Sequence, residues 1–165
     1  MRTALKRRGS RPNKEFRPMY DSYSPASLYA GLIGAVLLVI GIVGFFYSAS
    51  FGDPGEVDAV IGVFDVNAWH NIVHILSGAL GLVAFRAGPE ASRIYALAFG
   101  LVYLVVAIWG SILGNHEAIL GFLPVNTEDN ILHAILAVTG IAAYLASKPR
   151  HEVDVPEGGP RTEEA

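Results

Sequence analysis

The stretch LYAGLIGAVLLVIGIVGFFY, from Leu28 to Tyr47, decides the fold. It runs for 20 residues without Asp, Glu, Lys or Arg. At about 1.5 Å per residue, a helix of that length covers about 30 Å, the hydrocarbon thickness of a bilayer. Ile94 to Leu113 and Asn130 to Ser147 are equally free of charge, and Val66 to Phe85 carries none after Asp65. Four spanning helices are therefore expected, at about 28–47, 66–85, 94–113 and 130–147. Composition agrees, with 52% of the 165 residues hydrophobic and 16% charged, which is too apolar for a disordered chain. The absence of cysteine excludes disulfides, thiolate metal sites and cysteine nucleophiles. The net charge is −3 and the basic residues do not form a recognition face, so nucleic acid is not an expected partner.

The basic residues set the expected topology, because Lys and Arg in short flanking loops resist translocation. Seven precede the first span (Arg2, Lys6, Arg7, Arg8, Arg11, Lys14, Arg17), Arg86 and Arg93 follow the second, and Lys148, Arg150 and Arg161 follow the fourth. The other two loops carry only acidic residues: Asp53, Glu56, Asp58 and Asp65 in one, Glu117, Glu128 and Asp129 in the other. Both termini are thus expected in the cytoplasm of a multi-pass plasma (inner) membrane protein of bacterial type. The first span exceeds the roughly 7–15 apolar residues of a signal sequence and is expected to be retained as an anchor. Ser24 suits its N-cap and Pro25 its first helical position. The domain plan is a basic cytoplasmic tail at 1–24, a transmembrane domain at 25–147 and a flexible cytoplasmic tail at 148–165.

Comparing the chain with itself reveals a repeat. Gly62-Val63-Phe64-Asp65-Val66-Asn67-Ala68-Trp69-His70-Asn71-Ile72-Val73-His74 aligns, 59 residues on, with Gly121-Phe122-Leu123-Pro124-Val125-Asn126-Thr127-Glu128-Asp129-Asn130-Ile131-Leu132-His133. Gly, Val, Asn, Asn, Ile and His coincide, and Gly81 and Ala84 match Gly140 and Ala143. At an offset of 66, Ala30, Gly34 and Gly44 meet Ala96, Gly100 and Gly110. The expected fold is an all-α integral membrane four-helix bundle made of two parallel helix-hairpin repeats, N-in and C-in.

At about 100° per residue, Asn67, His70, Asn71, His74, Gly78 and Gly81 fall within an arc of about 100° on the second helix. Asn126, Asp129, Asn130, His133, Ala137 and Gly140 repeat that face on the fourth. Asn67 and Asn126 directly precede their helices and are expected to cap them, Asn126 with Asp129 as a capping box with Asp in place of Glu. Asn71, Asn130, His74 and His133 lie deeper, where an unpaired polar group in hydrocarbon is costly, so they are expected to face the bundle interior and hydrogen-bond between helices two and four. A structural polar stripe of Asn67, Asn71, Asn126 and Asn130 follows, in a non-enzymatic structural or accessory membrane component.

The same residues also admit a ligand site. His70 and His74, four apart, share one face, as do Asp129 and His133, and three nitrogens with one oxygen suit zinc or another divalent transition metal. His74 and His133 are alternatively placed to ligate a haem iron from two sides, in a redox or sensor protein. His116 and Glu117 stand ready to close such a site, whereas His151 has no partner in the pattern. Ser77 and Ser111 lack a nucleophile motif, no Gly-rich phosphate loop is present, and no span pairs two carboxylates. With no broken helix and no midplane charge, a transport pathway has no support. Besides the bilayer, a second copy of the chain or another membrane protein is the expected partner, through close contact of small residues such as Gly110 and Gly114.

The segment Phe64 to Asn67 leading into His70-Asn71-x2-His74-x3-Gly78, the run Ala91 to Gly110 with Tyr95 and Tyr103, and Asp129-Asn130-x2-His133 resemble a family of short bacterial four-span membrane proteins, domain of unknown function 4383. The resemblance covers about Tyr29 to Tyr144 and leaves both tails outside. It implies the architecture and brings no activity, substrate or cofactor.

Because the chain has no cysteine of its own, topology is open to labelling. A cysteine at Asp58 or Glu117 is expected to react with an impermeant maleimide from outside the cell, and one at Ala87 or Pro156 only after permeabilisation. The reverse pattern contradicts the charge reading.

Overall fold

The structure, a computed structural model, describes residues 24–51, 58–60, 63–115 and 117–147. Its elements in order are α1 (Pro25–Gly44), β1 (Asp58–Val60), β2 (Phe64–Val66), α2 (Ala68–Ala87), α3 (Pro89–Leu113), β3 (Glu117–Ile119), β4 (Leu123–Val125) and α4 (Thr127–Ala146). All four helices are long and apolar enough to cross a membrane. The chain is accordingly an all-α multi-pass membrane bundle. Both tails, apart from Ser24, lie outside the described residues, as do Asp53, Glu56, Gly62, His116 and His151.

The helix ends differ from the expected spans, and the starts of α3 and α4 do so for one reason. The spans stop at the nearest charge, but a charge marks the edge of the hydrocarbon and not the end of a helix. α3 begins at Pro89 instead of Ile94 and takes Glu90 and Arg93 into its first turns. Arg93 Nη1 pairs with Glu90 at 3.2 Å, and its guanidinium lies 4.9 Å over the Tyr144 ring, which lets a cation sit at a buried position. α4 likewise starts at Thr127 and includes Glu128 and Asp129. α1 begins at Pro25, where the Ser24 side chain accepts the Ser27 N–H. It ends at Gly44 instead of Tyr47, because Phe46 N and Tyr47 N turn back onto Val43 O and Gly44 O.

The connection between α2 and α3 shrinks to Gly88, which has φ +113°, donates its N–H to Ala84 O and accepts from Ser92 N. A side chain there would be strained. At the opposite end two antiparallel hairpins, β1 with β2 and β3 with β4, add short strands that the hydrophobic pattern does not announce. Phe51, Trp69 and Phe122 pack edge to face beside them, in the manner of aromatic belts at membrane surfaces.

α1 packs mainly on α2 and α3 on α4, through small residues that let backbones approach. A Cβ on Gly41 would lie 2.7 Å from Asn71 O, and one on Gly44 would overlap Asn71 Oδ1. In the other hairpin, a Cβ on Gly110 would overlap Asn130 Oδ1. The core between the hairpins is formed by Tyr29, Leu37, Phe99, Tyr103 and Leu136 with Ala26, Ala96 and Ala137. Leu32, Val39, Leu76, Val83, Ile108 and Val138 face outward, as lipid contact requires.

Several bonds occur in pairs whose numbers differ by the offsets found in the sequence. Tyr29 Oη donates to Leu136 O at 2.7 Å and Tyr95 Oη to Ser77 O at 3.1 Å, tying α1 to α4 and α3 to α2. Asn67 Nδ2 donates to Phe122 O and Asn126 Nδ2 to Val63 O, both at 2.7 Å, tying each helix start to the other hairpin.

Gly44→Ala is expected to cost roughly 1–3 kcal/mol by overpacking against Asn71. Thermal unfolding in detergent checks this, and the double variant with Asn71→Ala is expected to lose less than the sum of the single losses. An unchanged midpoint for Gly44→Ala contradicts the contact.

Candidate metal centre

The site is built from the starts of α2 and α4. Asn67 Oδ1 accepts the His70 N–H at 2.9 Å, fixing the first turn of α2. That turn places His70 beside the strand β2, and one helical turn further on the same face brings His74 beneath it, the two rings 4.5 Å apart and near perpendicular. On α4, Asn126 Oδ1 accepts the Asp129 N–H at 2.8 Å, and Asp129 Oδ2 accepts the Asn126 N–H at 3.3 Å, the capping box expected from the sequence. His133 follows one turn later, with its ring 6.2 Å from that of His70 and 5.1 Å from that of Tyr103.

His70, His74 and His133 thus converge. Each offers a ring nitrogen, and the three lie within 4.8 Å of one another. All three residues are buried, with 5%, 8% and 5% of their surface exposed. His70 Nδ1 is 3.0 Å from Asp65 O. A carbonyl only accepts, so Nδ1 carries the proton and Nε2 keeps a free lone pair, the arrangement that orients metal-binding imidazoles. His74 Nδ1 and His133 Nδ1 have no hydrogen-bond partner. Leaving a buried polar atom unmade costs about 1–3 kcal/mol, so two in one place call for a partner.

The remaining polar residues are placed as follows. Asp129 does not join the three histidines; its Oδ2 accepts the N–H groups of Asn126 and of Asp65, the latter at 3.1 Å. Asn71 is fully buried and donates to Ser48 O, in the turn after α1, at 2.9 Å. Asn71 Oδ1 and Asn130 Oδ1 stand unpaired against Gly44 and Gly110. Asn67 and Asn126 cap their helices and bond across to the opposite hairpin.

Next to the histidines lies a cavity of about 300 Å³ between α2 and α3, roofed by Ile119, Pro124 and Val125 of the second hairpin. Its α3 wall carries Tyr95, Phe99 and Tyr103, whose rings stack successively at 5.1 and 4.1 Å. This wall and the role of Asp65 O are the parts of the site that sequence reading missed. The aromatic spacing of four on α3 was the available signal, but in a span of Leu, Val and Ile it looks like ordinary core.

No curated protein and no solved structure matches the chain. The model of the family described as Domain of unknown function (DUF4383) matches residues 27–146, which takes in the four helices apart from the first two residues of α1, both hairpins and all three histidines. By that match the chain belongs to the DUF4383 family.

Proposed function

We propose that this is a plasma-membrane protein that binds one divalent transition-metal ion through His70, His74 and His133. The observation that carries the reading is the convergence of three buried imidazoles, two of them with an unpartnered nitrogen. Helix capping and bonds to the opposite hairpin, not bonds between helices two and four, account for Asn67 and Asn126, and they leave His74 Nδ1 and His133 Nδ1 unanswered. Nitrogens bound to one ion at about 2.1 Å lie roughly 3.4 Å apart in a tetrahedron, so the rings need to close only slightly from their present separations. Three imidazoles with a fourth position open toward the cavity suit zinc, copper, iron or nickel. The ion serves redox or sensing chemistry and not structural closure, since a structural ion is normally four-coordinate with protein ligands.

Haem is disfavoured on geometry. A nitrogen of His70 lies within 4.8 Å of both other ligand atoms, in the region that a porphyrin bridging His74 and His133 would have to occupy. The orientation with both termini in the cytoplasm rests on the one-sided distribution of Lys and Arg and places the histidine end at the outer surface.

Protein purified in detergent with a single metal offered in slight excess is expected to retain about one ion per chain by elemental analysis. His74→Ala and His133→Ala are expected to abolish retention, while Asp129→Asn keeps it. Excess ion at about 100 times its dissociation constant is expected to add about 2.7 kcal/mol to the stability of the wild type. Metal-free wild type whose unfolding is indifferent to added ion contradicts the proposal and favours a purely structural role for the stripe.

A further inference from the structure

The two helix hairpins answer their equivalent asparagines differently. In the first, α1 stops at Gly44 and the chain turns back, so that Ser48 N donates to Gly44 O and Ser48 O accepts from Asn71 Nδ2 at 2.9 Å. In the second, α3 runs on past Gly110, the counterpart of Gly44, to Leu113, and its link to α4 is shorter. Gly114, in the place of Ser48, leaves the helix at φ +100°, and among the described residues the Asn130 side chain makes no hydrogen bond. Asn130 is nevertheless only 7% exposed. Where the first hairpin has its turn, the second has a pocket of about 330 Å³ between α3 and α4, lined by Gly110, Ser111, Asn115, Thr127, Asn130 and Ile131.

The walls of this pocket define what enters it. Its hydroxyls are spent within the chain, Ser111 Oγ on Ala107 O and Thr127 Oγ1 on Asn115 Oδ1, both at 2.7 Å. Asn130 Oδ1 packs against Gly110 as Asn71 Oδ1 does against Gly44, so the difference between the repeats falls on Nδ2, a donor without an acceptor. Leaving such a buried donor unmade is costly. No charged side chain lines the pocket, so nothing there matches a phosphate or an ammonium group; the missing partner is a neutral acceptor, as Ser48 O is in the first hairpin.

Depth selects the source of that acceptor. The 25 residues of α3 span about 37 Å at about 1.5 Å each, more than the hydrocarbon thickness of about 30 Å, so Gly110, one turn from its end, lies near the hydrocarbon boundary. The ester carbonyls of glycerolipids lie at that level. Ser111 and Ile131 are exposed, so the mouth opens sideways to lipid. A helix of a second copy is about 10–12 Å across, too broad to carry a carbonyl to an amide recessed in this pocket, whereas one acyl ester is slim.

We infer that the pocket binds a glycerolipid, with an ester carbonyl accepting from Asn130 Nδ2, the acyl chain passing over Ile131 and Ala134, and the headgroup outside Asn115 and Thr127. The lipid occupies the place that the turn at Ser48 fills in the first hairpin. The inference stands independently of the metal reading.

The test titrates full-length, delipidated protein in detergent with diacyl phosphatidylcholine and reads bound lipid per chain by native mass spectrometry. The ether-linked analogue has the same headgroup and chains but no carbonyl, and it is expected to bind roughly fivefold more weakly, the factor for one ordinary hydrogen bond. Asn130→Leu is expected to bind the two lipids alike. Ser111→Trp, at an exposed position on the pocket wall, is expected to keep the wild-type thermal midpoint and to lose at least as much affinity for the ester lipid. Equal binding of ester and ether lipids by the wild type overturns the inference and leaves the amide to water. Undiminished ester-lipid binding in Ser111→Trp also overturns it, and a dimer that Ser111→Trp dissociates overturns it in favour of a second copy.

Discussion

Hydrocarbon offers no hydrogen-bond partner, so every polar group carried into a membrane bundle must be answered by the protein or by something the protein binds. This chain carries an unusual number of polar side chains to one end of its bundle. Asn67, His70, Asn71, His74, Asn126, Asp129, Asn130 and His133 are all buried there. Most of the asparagine and aspartate bonds go to backbone: Asn67 and Asn126 cap helices and reach across to opposite hairpins, Asn71 reaches the turn after α1, and Asp129 closes its own cap and holds Asp65 N. The histidines, like Asn71 Oδ1 and Asn130 Oδ1, are answered only in part.

That division of labour links the fold to the site. The two capping asparagines lock each helix start to the neighbouring hairpin, and the tyrosines Tyr29 and Tyr95 lock each hairpin of helices to the other further along the bundle. The starts of α2 and α4 are thereby each fixed to the opposite hairpin, although the two helices pack mainly on α1 and α3 and not on each other. Three imidazoles are thereby brought within reach of one another, and one of them, His70, is oriented by its bond to Asp65 O. Preorganisation of this kind allows a site to bind an ion without a large rearrangement.

Much of the fold was legible because its determinants are local. Charge-free runs mark the spans, Ser24-Pro25 marks the start of α1, and Asn126 with Asp129 marks the start of α4. Tertiary determinants were less visible. Strands of three residues are too short to show an alternating pattern, and the burial of Arg93 depends on its finding Tyr144, far away in sequence. The sequence places His70, His74, Asp129 and His133 on facing helix surfaces, but it does not say that the N–H of Asp65, remote in sequence, occupies Asp129. Tyr95, Phe99 and Tyr103 were hidden for a different reason: in an apolar span, an aromatic residue lining a cavity and one filling a core have the same spacing.

The central claim is that three imidazoles of this chain meet on one ion. X-ray absorption at the metal edge tests it most directly, because imidazole rings add a characteristic multiple-scattering pattern to the signal of their ligating nitrogens. Three imidazole nitrogens at about 2.0–2.1 Å and one oxygen neighbour are the predicted set. A spectrum fitted by oxygen neighbours alone, without imidazole scattering, would contradict it.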